Sequence, residues 1–229
     1  MRGLLSLSDL MNLSRSHGMD TLALTDVNGM WGFIRFVQHC KNAGIRPIAG
    51  TNLITENDDV ILLAENQYGY ENMCRAVSAV HDNSKQSITD ILEKQLAGLF
   101  VLAHKESTLN KLINIIPYTH LFIELRPGIQ ESYMQKLSRK LKLEMVVTGD
   151  VYFRSQSDHD AHVTLRAIEK NTTLKQLDIA ECKTNHHWFR SEAEMVKLFP
   201  NSLDGLNNSQ YLADRCKTDW SFINTIFPG

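Results

Sequence analysis

The stretch Gly18-Met19-Asp20-Thr21-Leu22-Ala23-Leu24-Thr25-Asp26-Val27-Asn28-Gly29-Met30-Trp31-Gly32 decides the fold, because it joins a short strand to a helix. Residues 21–26 form a short run rich in apolar residues, which is typical of a strand in a parallel sheet covered on both faces. Asn28-Gly29 then favours a tight turn, and such a turn after a strand needs no bound ligand to explain it. A helical pattern follows over residues 30–43. The stretch therefore predicts one strand–turn–helix unit of an α/β fold.

The same alternation continues along the chain. Further strand-like runs cover residues 45–53, 59–64, 99–103, 121–125 and 145–148. Helical patterns separate most of them, over residues 68–80, 88–96, 109–116 and 129–141, and a first helix is predicted over residues 7–17. This order predicts a parallel sheet with right-handed crossovers. Periodicity leaves open whether the sheet closes into a barrel.

The strand signal fades after about residue 157. Helical patterns cover residues 158–169, 192–199 and 206–215, with a polar connector over residues 171–185. Capping boxes of the form S-x-x-[DE] are predicted at Ser6, Ser87, Ser157 and Ser191. We therefore predict an α/β core over residues 1–156 and a C-terminal helical part over residues 157–229.

Composition excludes several classes of protein. Hydrophobic residues make up 43% of the 229 residues and charged residues 22%, which is the range of an ordinary globular protein. The net charge of −2 argues against tight autonomous DNA binding, because domains that grip nucleic acid unaided are usually basic. No apolar run is long enough to span a membrane and no secretory signal precedes the first helix, so we expect a cytoplasmic protein. The cysteines form no C-x-x-C pair and are expected to be reduced thiols, mostly in the core: Cys40, Cys74, Cys182 and Cys216.

Common catalytic motifs are absent from the sequence. It contains no G-x-S-x-G, no G-x-x-x-x-G-K-[ST] and no G-x-G-x-x-G. A nucleophile elbow, a P-loop and a dinucleotide fingerprint are therefore excluded.

Five ordered pieces of the sequence carry a family resemblance. They are residues 18–32, residues 40–50, residues 60–66 with Gly69-Tyr70-Glu71-Asn72, Val146-Val147-Thr148-Gly149-Asp150-Val151, and Ser191-Glu192-Ala193-Glu194-Met195. Together they resemble the PHP (polymerase and histidinol phosphatase) domain that begins bacterial DNA polymerase III alpha subunits and their error-prone relatives. The resemblance spans nearly the whole chain, and the Arg2-Gly3 start and Gly149-Asp150-Val151 lean towards the error-prone branch.

The resemblance implies a distorted, TIM-like (β/α)7 barrel with a C-terminal helical extension. In that family His, Asp and Glu side chains from several strand ends hold a cluster of metals at the C-terminal mouth of the barrel. Such ligands suit Zn, Mn or Fe ions that activate water against a phosphoester. The family's first strand carries His-x-His. Met1 falls just before the first predicted helix, so we expect that strand to lie upstream of Met1 or to be absent.

The positions that correspond to metal ligands have mostly changed. Only the Asp of the closing Asp-x-His is retained, as Asp150, and it is expected to be either a hydrogen-bonded carboxylate at a strand end or a residual ligand. At the other remnant positions the ligand is replaced by a cation (Arg2), an apolar side chain (Val27), an aromatic side chain (Tyr152), a neutral amide (Asn52) or an altered carboxylate (Asp59). We therefore predict no intact metal site and no catalytic residue in this chain.

Histidines are the remaining candidates for chemistry at the mouth. His104 follows the strand-like run 99–103 and could point into the mouth. His159 and His162 lie three residues apart on one predicted helix face, and His186-His187 fall in the polar connector or just after it. All are expected to be solvated or packed imidazoles, because no acidic partner stands at a fixed spacing.

Three hypotheses for function follow. The first is a non-catalytic PHP domain of a polymerase III alpha-like enzyme, a DNA-directed nucleotidyltransferase. It would stabilise the polymerase and offer a docking surface for partners, among them a proofreading exonuclease subunit. It would meet DNA only through the full-length polymerase, whose Mg lies beyond Gly229. The second is a metal-dependent phosphoesterase or proofreading exonuclease of the PHP family, and the third is an unrelated small-molecule-binding α/β domain.

Overall fold

The computed structural model describes residues 3–83, 86–179 and 182–220 and confirms the α/β class. Nearly all the predicted runs form strands or helices close to the expected positions. The elements in chain order are α1 (Leu7–Ser16), β1 (Thr21–Val27), α2 (Phe33–Ala43), β2 (Arg46–Ile54), β3 (Asp59–Ala64), α3 (Gln67–Asp82), α4 (Ile88–Glu93), β4 (Leu99–Ala103), α5 (Glu106–Leu112), β5 (Leu121–Leu125), α6 (Glu131–Leu141), β6 (Met145–Val147), a 3-10 turn (Gln156–Asp158), α7 (His159–Glu169), α8 (Glu192–Leu198) and α9 (Leu203–Arg215).

The six strands form one curled sheet, a half-barrel, in the order in which they occur along the chain. The strands β1, β2, β4, β5 and β6 run in one direction, whereas β3 is antiparallel to both of its neighbours. The prediction of an all-parallel sheet is therefore wrong at β3. Only residues 55–58 separate β2 from β3, and a parallel crossover needs a dozen residues or more.

Alternate side chains along the strands face two different cores. One face packs against the flanking helices, as Val101 and Ile123 do. The other face, which lines the inside of the half-barrel, carries Phe100 and Phe122 and packs against α9. This alternation determines which strand residues point to the inside of the half-barrel and can reach its open end.

The C-terminal helical part is joined to the sheet in the structure. Asn208 Nδ2 in α9 donates to the carbonyl oxygen of Met145 at 2.8 Å, and Ser209 Oγ donates to that of Val147 at 2.5 Å. Phe153 and Trp188 form an isolated parallel bridge. The described part of residues 157–229 is thus packed on the sheet, and the division at residue 156 stays a prediction.

Ser6 and Ser87 cap α1 and α4 by accepting from the amides of Asp9 and Asp90, which is half of each predicted capping box. Ser191 and Glu194 form a complete capping box at α8, as predicted. The box before α7 is formed by Ser155 and Asp158, so the prediction of a box at Ser157 is wrong by two residues. Within the described residues, no helix is long and apolar enough to cross a membrane.

Candidate functional site

The mouth of the half-barrel gathers the carboxyl ends of five strands and the start of β3. The end of β1 pairs with β2 at Val27 and Asn52, and the end of β2 pairs with the start of β3 at Ile54 and Asp59. Connections and strand ends at this edge can vary without disturbing the sheet, which is why barrel-type proteins place their chemistry there.

Strand phase brings charged residues to the inner mouth. Glu124 lies two residues beyond Phe122, which faces the inside of the half-barrel, and Arg126 lies two residues further, just past the end of β5. A cleft of about 660 Å³ opens at this point. Its lining combines residues from the strand ends, α7 and the connector: Asn52, Ile54, Asp59, Arg126, Pro127, Gly128, Ile129, Tyr152, His162, Arg166, Asp178, Cys182, Lys183, Thr184 and His187.

Glu124 is a carboxylate with only 1% of its surface exposed. Thr148 Oγ1 donates a hydrogen bond to its Oε1 at 2.7 Å. Its Oε2 lies 3.5 Å from His104 Nδ1 and 3.6 Å from Arg126 Nη1. A buried carboxylate needs such partners, because desolvation of an unpaired charge is very costly.

Asp150 is held by three nitrogen-bearing side chains. Its Oδ2 accepts a hydrogen bond from Lys183 Nζ at 2.8 Å and lies 3.2 Å from His187 Nδ1 and 3.4 Å from Arg126 Nη1. Its backbone adopts a φ of +41°, in the left-handed region, and His187 Nδ1 also lies 3.0 Å from its carbonyl oxygen. The loop after β6 is thus fixed at both the backbone and the side chain of this residue.

These contacts determine the charge of the cluster. Burial would raise the pKa of Asp150, but the hydrogen bond with His187 and the positive charges of Lys183 and Arg126 outweigh it and hold the pKa well below its usual range. Burial would likewise lower the pKa of Arg126, but the carboxylates of Glu124, Asp150 and Asp59 outweigh it and raise that pKa. Asp150 is therefore an anion and Arg126 a cation at neutral pH.

The structure brings most of the predicted remnant positions to one edge. Asn52, Asp59 and Tyr152 line the cleft, and Val27 ends the neighbouring strand β1. The Tyr152 ring faces Lys183, whose Nζ lies 4.7 Å from the ring centroid. Arg2 lies outside the described residues.

His104 directly follows β4 and contacts the same cluster. Its Nε2 lies 3.2 Å from Arg126 Nη2, and its Nδ1 lies 3.5 Å from Glu124 Oε2. Its side chain is 13% exposed, and its described contacts are with neighbouring side chains. It serves as a link between β4 and β5.

Asn52 places a buried amide oxygen without a hydrogen-bond partner in the cleft wall. The residue is 9% exposed, and no group in the described part of the chain donates to this Oδ1. A single neutral amide oxygen can take one water or one donor. It cannot supply the charge or the number of ligands that a divalent ion requires.

The donor set does not fit the metal cluster that the family resemblance implies. Among residues 3–83, 86–179 and 182–220, no group of three or more His, Cys, Asp or Glu side chains is arranged to hold a metal ion. The retained ligand, Asp150, is already paired with Lys183 and Arg126. Two fixed positive charges at this point would repel a divalent cation.

Sequence reasoning missed the residues that dominate the mouth. Glu124, Arg126 and Lys183 carry no motif. His187 is a packed imidazole, one of the two expected states, with 6% of its surface exposed, and only its contact with Asp150 was not predicted. One signal was available for the first two. Glu124 and Arg126 continue the inner-face phase of β5, so that the strand's last residues and the loop after it had to present charge to the mouth.

A family model described as PHP domain matches residues 1–143. Curated relatives are DNA polymerase III subunit alpha of Pasteurella multocida, 27% identical over 250 residues, and that of Borreliella burgdorferi, 25% identical over 268 residues. These alignments cover 94% and 99% of this chain but 22% and 23% of the two relatives. The chain thus spans about a fifth of the length of the curated relatives it matches.

A solved structure from Bifidobacterium adolescentis, provisionally described as a metal-dependent phosphoesterase, is also similar. It is 13% identical, with a TM-score of 0.42, over 65% of this chain and 83% of that one. This score is too low to support a conclusion about this chain.

Proposed function

The chain belongs to the PHP domain family, whose model matches residues 1–143 of 229, and on that basis we propose that it is the PHP domain of a DNA polymerase III alpha-like protein. Its role there is structural. It stabilises the polymerase and presents a docking surface in DNA replication or repair synthesis. Polymerisation and its Mg belong to other parts of such a protein.

The observation that carries this proposal is the state of Asp150. The carboxylate that corresponds to a metal ligand in the family forms ion pairs with Lys183 and Arg126 and contacts His187. Its oxygen Oδ2 is directed at protein cations, so it is not available to activate water through a metal. A mouth filled in this way supports a domain kept for its shape and its contacts.

Two kinds of partner fit a structural role. The first is the remainder of the polymerase, since the homologous alpha subunits are about five times as long as this chain. The second is a proofreading exonuclease subunit. DNA would be met only through the complete polymerase, in agreement with the net charge of −2. We also propose a cytoplasmic location, where bacterial DNA synthesis takes place.

The outer face of α7 offers apolar side chains for such contacts. Leu165 and Ile168 lie three residues apart, on one face of the helix, with 40% and 68% of their surfaces exposed. Contiguous exposed apolar patches mark protein interaction sites, and this pair is the part of α7 that would contribute to one. His162 and Arg166 lie on the buried face of the same helix.

Sedimentation of the chain with an alpha subunit that lacks its own PHP domain tests the structural role. We expect the wild-type chain to co-sediment with that subunit and Ile168→Glu to co-sediment less. Ile34→Glu is the matched control, because Ile34 is also a half-exposed isoleucine on a helix. An absence of co-sedimentation for the wild type, with the polymerase and with the exonuclease subunit alike, contradicts the docking role.

Phosphoesterase activity, the alternative function, has a separate test. We expect no turnover of p-nitrophenyl phosphate or single-stranded DNA with added Mn, Zn or Fe. Turnover by the wild type that Asp150→Asn abolishes would show that the mouth is a metal-dependent active site and that the structural proposal is wrong.

A further inference from the structure

Two carboxylates and one imidazole converge on a single guanidinium at the inner mouth. Arg126 Nη1 lies 3.6 Å from Glu124 Oε2 and 3.4 Å from Asp150 Oδ2, and Nη2 lies 3.2 Å from His104 Nε2. The three partners come from β5, from the loop after β6 and from the end of β4. The Arg126 side chain itself is 14% exposed. These oxygen and nitrogen donors are of the types that elsewhere hold a metal ion.

Lys183 supplies a second positive charge to the same place. Its Nζ lies 2.8 Å from Asp150 Oδ2 and 4.7 Å from the centroid of the Tyr152 ring. Tyr152 stands where the resemblance expects a histidine ligand. An aromatic face there attracts the ammonium group through a cation–π contact, whereas an imidazole would compete for a metal.

We propose that Arg126 and Lys183 are built-in counter-ions that take the place of metal cations at the mouth and hold β4, β5 and the loop after β6 together. A guanidinium suits this position because its planar fork carries several donors in a fixed geometry, so that it bridges partners as a metal ion does. The family resemblance implies metal cations at the mouth, whereas this chain places the side-chain cations of Arg126 and Lys183 there. The proposal applies whether or not the chain works within a polymerase.

The carboxylates make a cation at this point necessary. Glu124 is 1% exposed and the Asp150 side chain is 11% exposed, so that water can compensate neither charge fully. Removing one partner of a buried charge pair is far more damaging than removing an exposed pair. The mouth should therefore depend on positive charge at residue 126, and the wild-type mouth should be indifferent to added metal.

Thermal melting of the full chain tests both statements. We expect neither EDTA nor Zn or Mn ions to shift the melting temperature of the wild type. We expect Arg126→Met, which keeps much of the side-chain length but removes the charge, to melt several degrees lower. Arg126→Lys should melt between the two. Arg154→Met is the matched control, because Arg154 pairs with Asp9 at the surface and is 57% exposed.

Rescue by a free cation separates charge replacement from simple loss of packing. Arg126→Ala should recover at least half of its lost melting temperature on addition of low millimolar ethylguanidinium or of Zn ions, and Arg154→Ala should not respond. Adding Asp150→Asn to Arg126→Ala should weaken the recovery. If Arg126→Ala does not fold, the melting temperatures of the other two variants decide between charge replacement and loss of packing: charge replacement predicts that Arg126→Lys melts higher than Arg126→Met.

Three outcomes would overturn the proposal. The first is a wild-type melting temperature raised by Zn or Mn ions, with the increase lost in Asp150→Asn. The second is equal melting of Arg126→Lys and Arg126→Met. The third is a folded Arg126→Ala that no cation restores.

Discussion

Arg46 Nη1 donates a hydrogen bond to the carbonyl oxygen of Cys216 at 2.8 Å, across 170 residues of sequence. The same nitrogen donates to the carbonyl oxygen of Ala213 at 2.7 Å. Cys216 is the C-cap of α9, where the last carbonyl groups lack helical partners and the helix dipole favours a positive charge. The first residue of β2 therefore holds the C-terminal end of α9 in place.

Removing this contact should loosen α9. We expect Arg46→Met to lower the free energy of unfolding by roughly 1.5–3 kcal/mol, because two hydrogen bonds from a charged group are lost. Arg154→Met should cost clearly less than Arg46→Met, since its partner Asp9 is a surface residue. Urea unfolding of both variants gives the comparison, and equal losses would contradict a special role for Arg46.

Asn28 combines a left-handed backbone with a side-chain clamp. Its φ is +44°, its Nδ2 donates to the carbonyl oxygen of Ile54 at 2.9 Å, and its Oδ1 accepts from the Ile54 amide at 2.7 Å. Asn28→Ala should destabilise the protein by roughly 2–4 kcal/mol, because both bonds are lost and alanine adopts the left-handed backbone less readily than asparagine. Asn28→Gly should recover up to about 1 kcal/mol of this loss, since glycine adopts positive φ freely. Chemical denaturation measures both, and a less stable glycine variant would show that the backbone is not the cause.

Asp58 is a buried carboxylate that depends on Lys111. Lys111 Nζ lies 2.9 Å from both carboxylate oxygens, and Thr108 Oγ1 donates to Oδ1 at 2.8 Å. Asp58 is 2% exposed, so Lys111→Met should cost roughly 1–3 kcal/mol. The control Lys140→Met, which breaks a surface pair with Glu106, should cost much less. Adding Asp58→Asn to Lys111→Met should restore part of the loss, and a purely additive double-mutant cycle would refute the coupling.

Alkaline pH should destabilise the protein through buried thiols. Burial raises the pKa of Cys40 to about 11, whereas an unfolded cysteine titrates near a pKa of about 8.5. Because the folded pKa is the higher one, this stabilisation is fully present below about pH 8.5 and is lost as the pH rises towards 11. The loss is up to about 1.4 kcal/mol per pH unit, or about 2 kcal/mol at pH 10.

Replacement of the thiol checks the cause of this pH dependence. Cys40→Ala should be the less stable protein at pH 7, because a buried side chain is shortened, and its disadvantage should shrink by about 2 kcal/mol at pH 10. Denaturant unfolding at the two pH values measures the difference. A gap that stays constant with pH would show that Cys40 does not titrate on unfolding.

The sheet could be read from the sequence because its strands are short, nearly continuous apolar runs. The direction of β3 was the exception, although the four-residue connection after Ile54 already excluded a parallel crossover. An apolar run shows only that a strand is buried on both faces. A central strand has that property whether it is parallel or antiparallel to its neighbours, so the run does not reveal strand direction. Connection length was therefore the better guide to strand direction than composition.

The mouth was only half accessible to sequence reasoning. Asn52, Asp59 and Tyr152 were located by their places in the motifs that carry the family resemblance, and all three line the cleft. Lys183 could not be located, because it comes from an irregular connector 33 residues beyond Asp150 and reaches the carboxylate only through tertiary packing. Pairing between groups so far apart leaves no periodic signal in a single sequence.

The agreement between strand order and chain order has a consequence for synthesis. Each strand after β1 finds its neighbour in the sheet already synthesised, so the sheet can grow by local steps that close only short loops. The inner cover arrives last, because Leu212 and Cys216 lie near the end of the described chain. Until α9 emerges, Phe100 and Phe122 lack the cover that Leu212 and Cys216 provide. A nascent chain halted before Leu203 would therefore present an aromatic surface, and that interval is when a chaperone has most to bind.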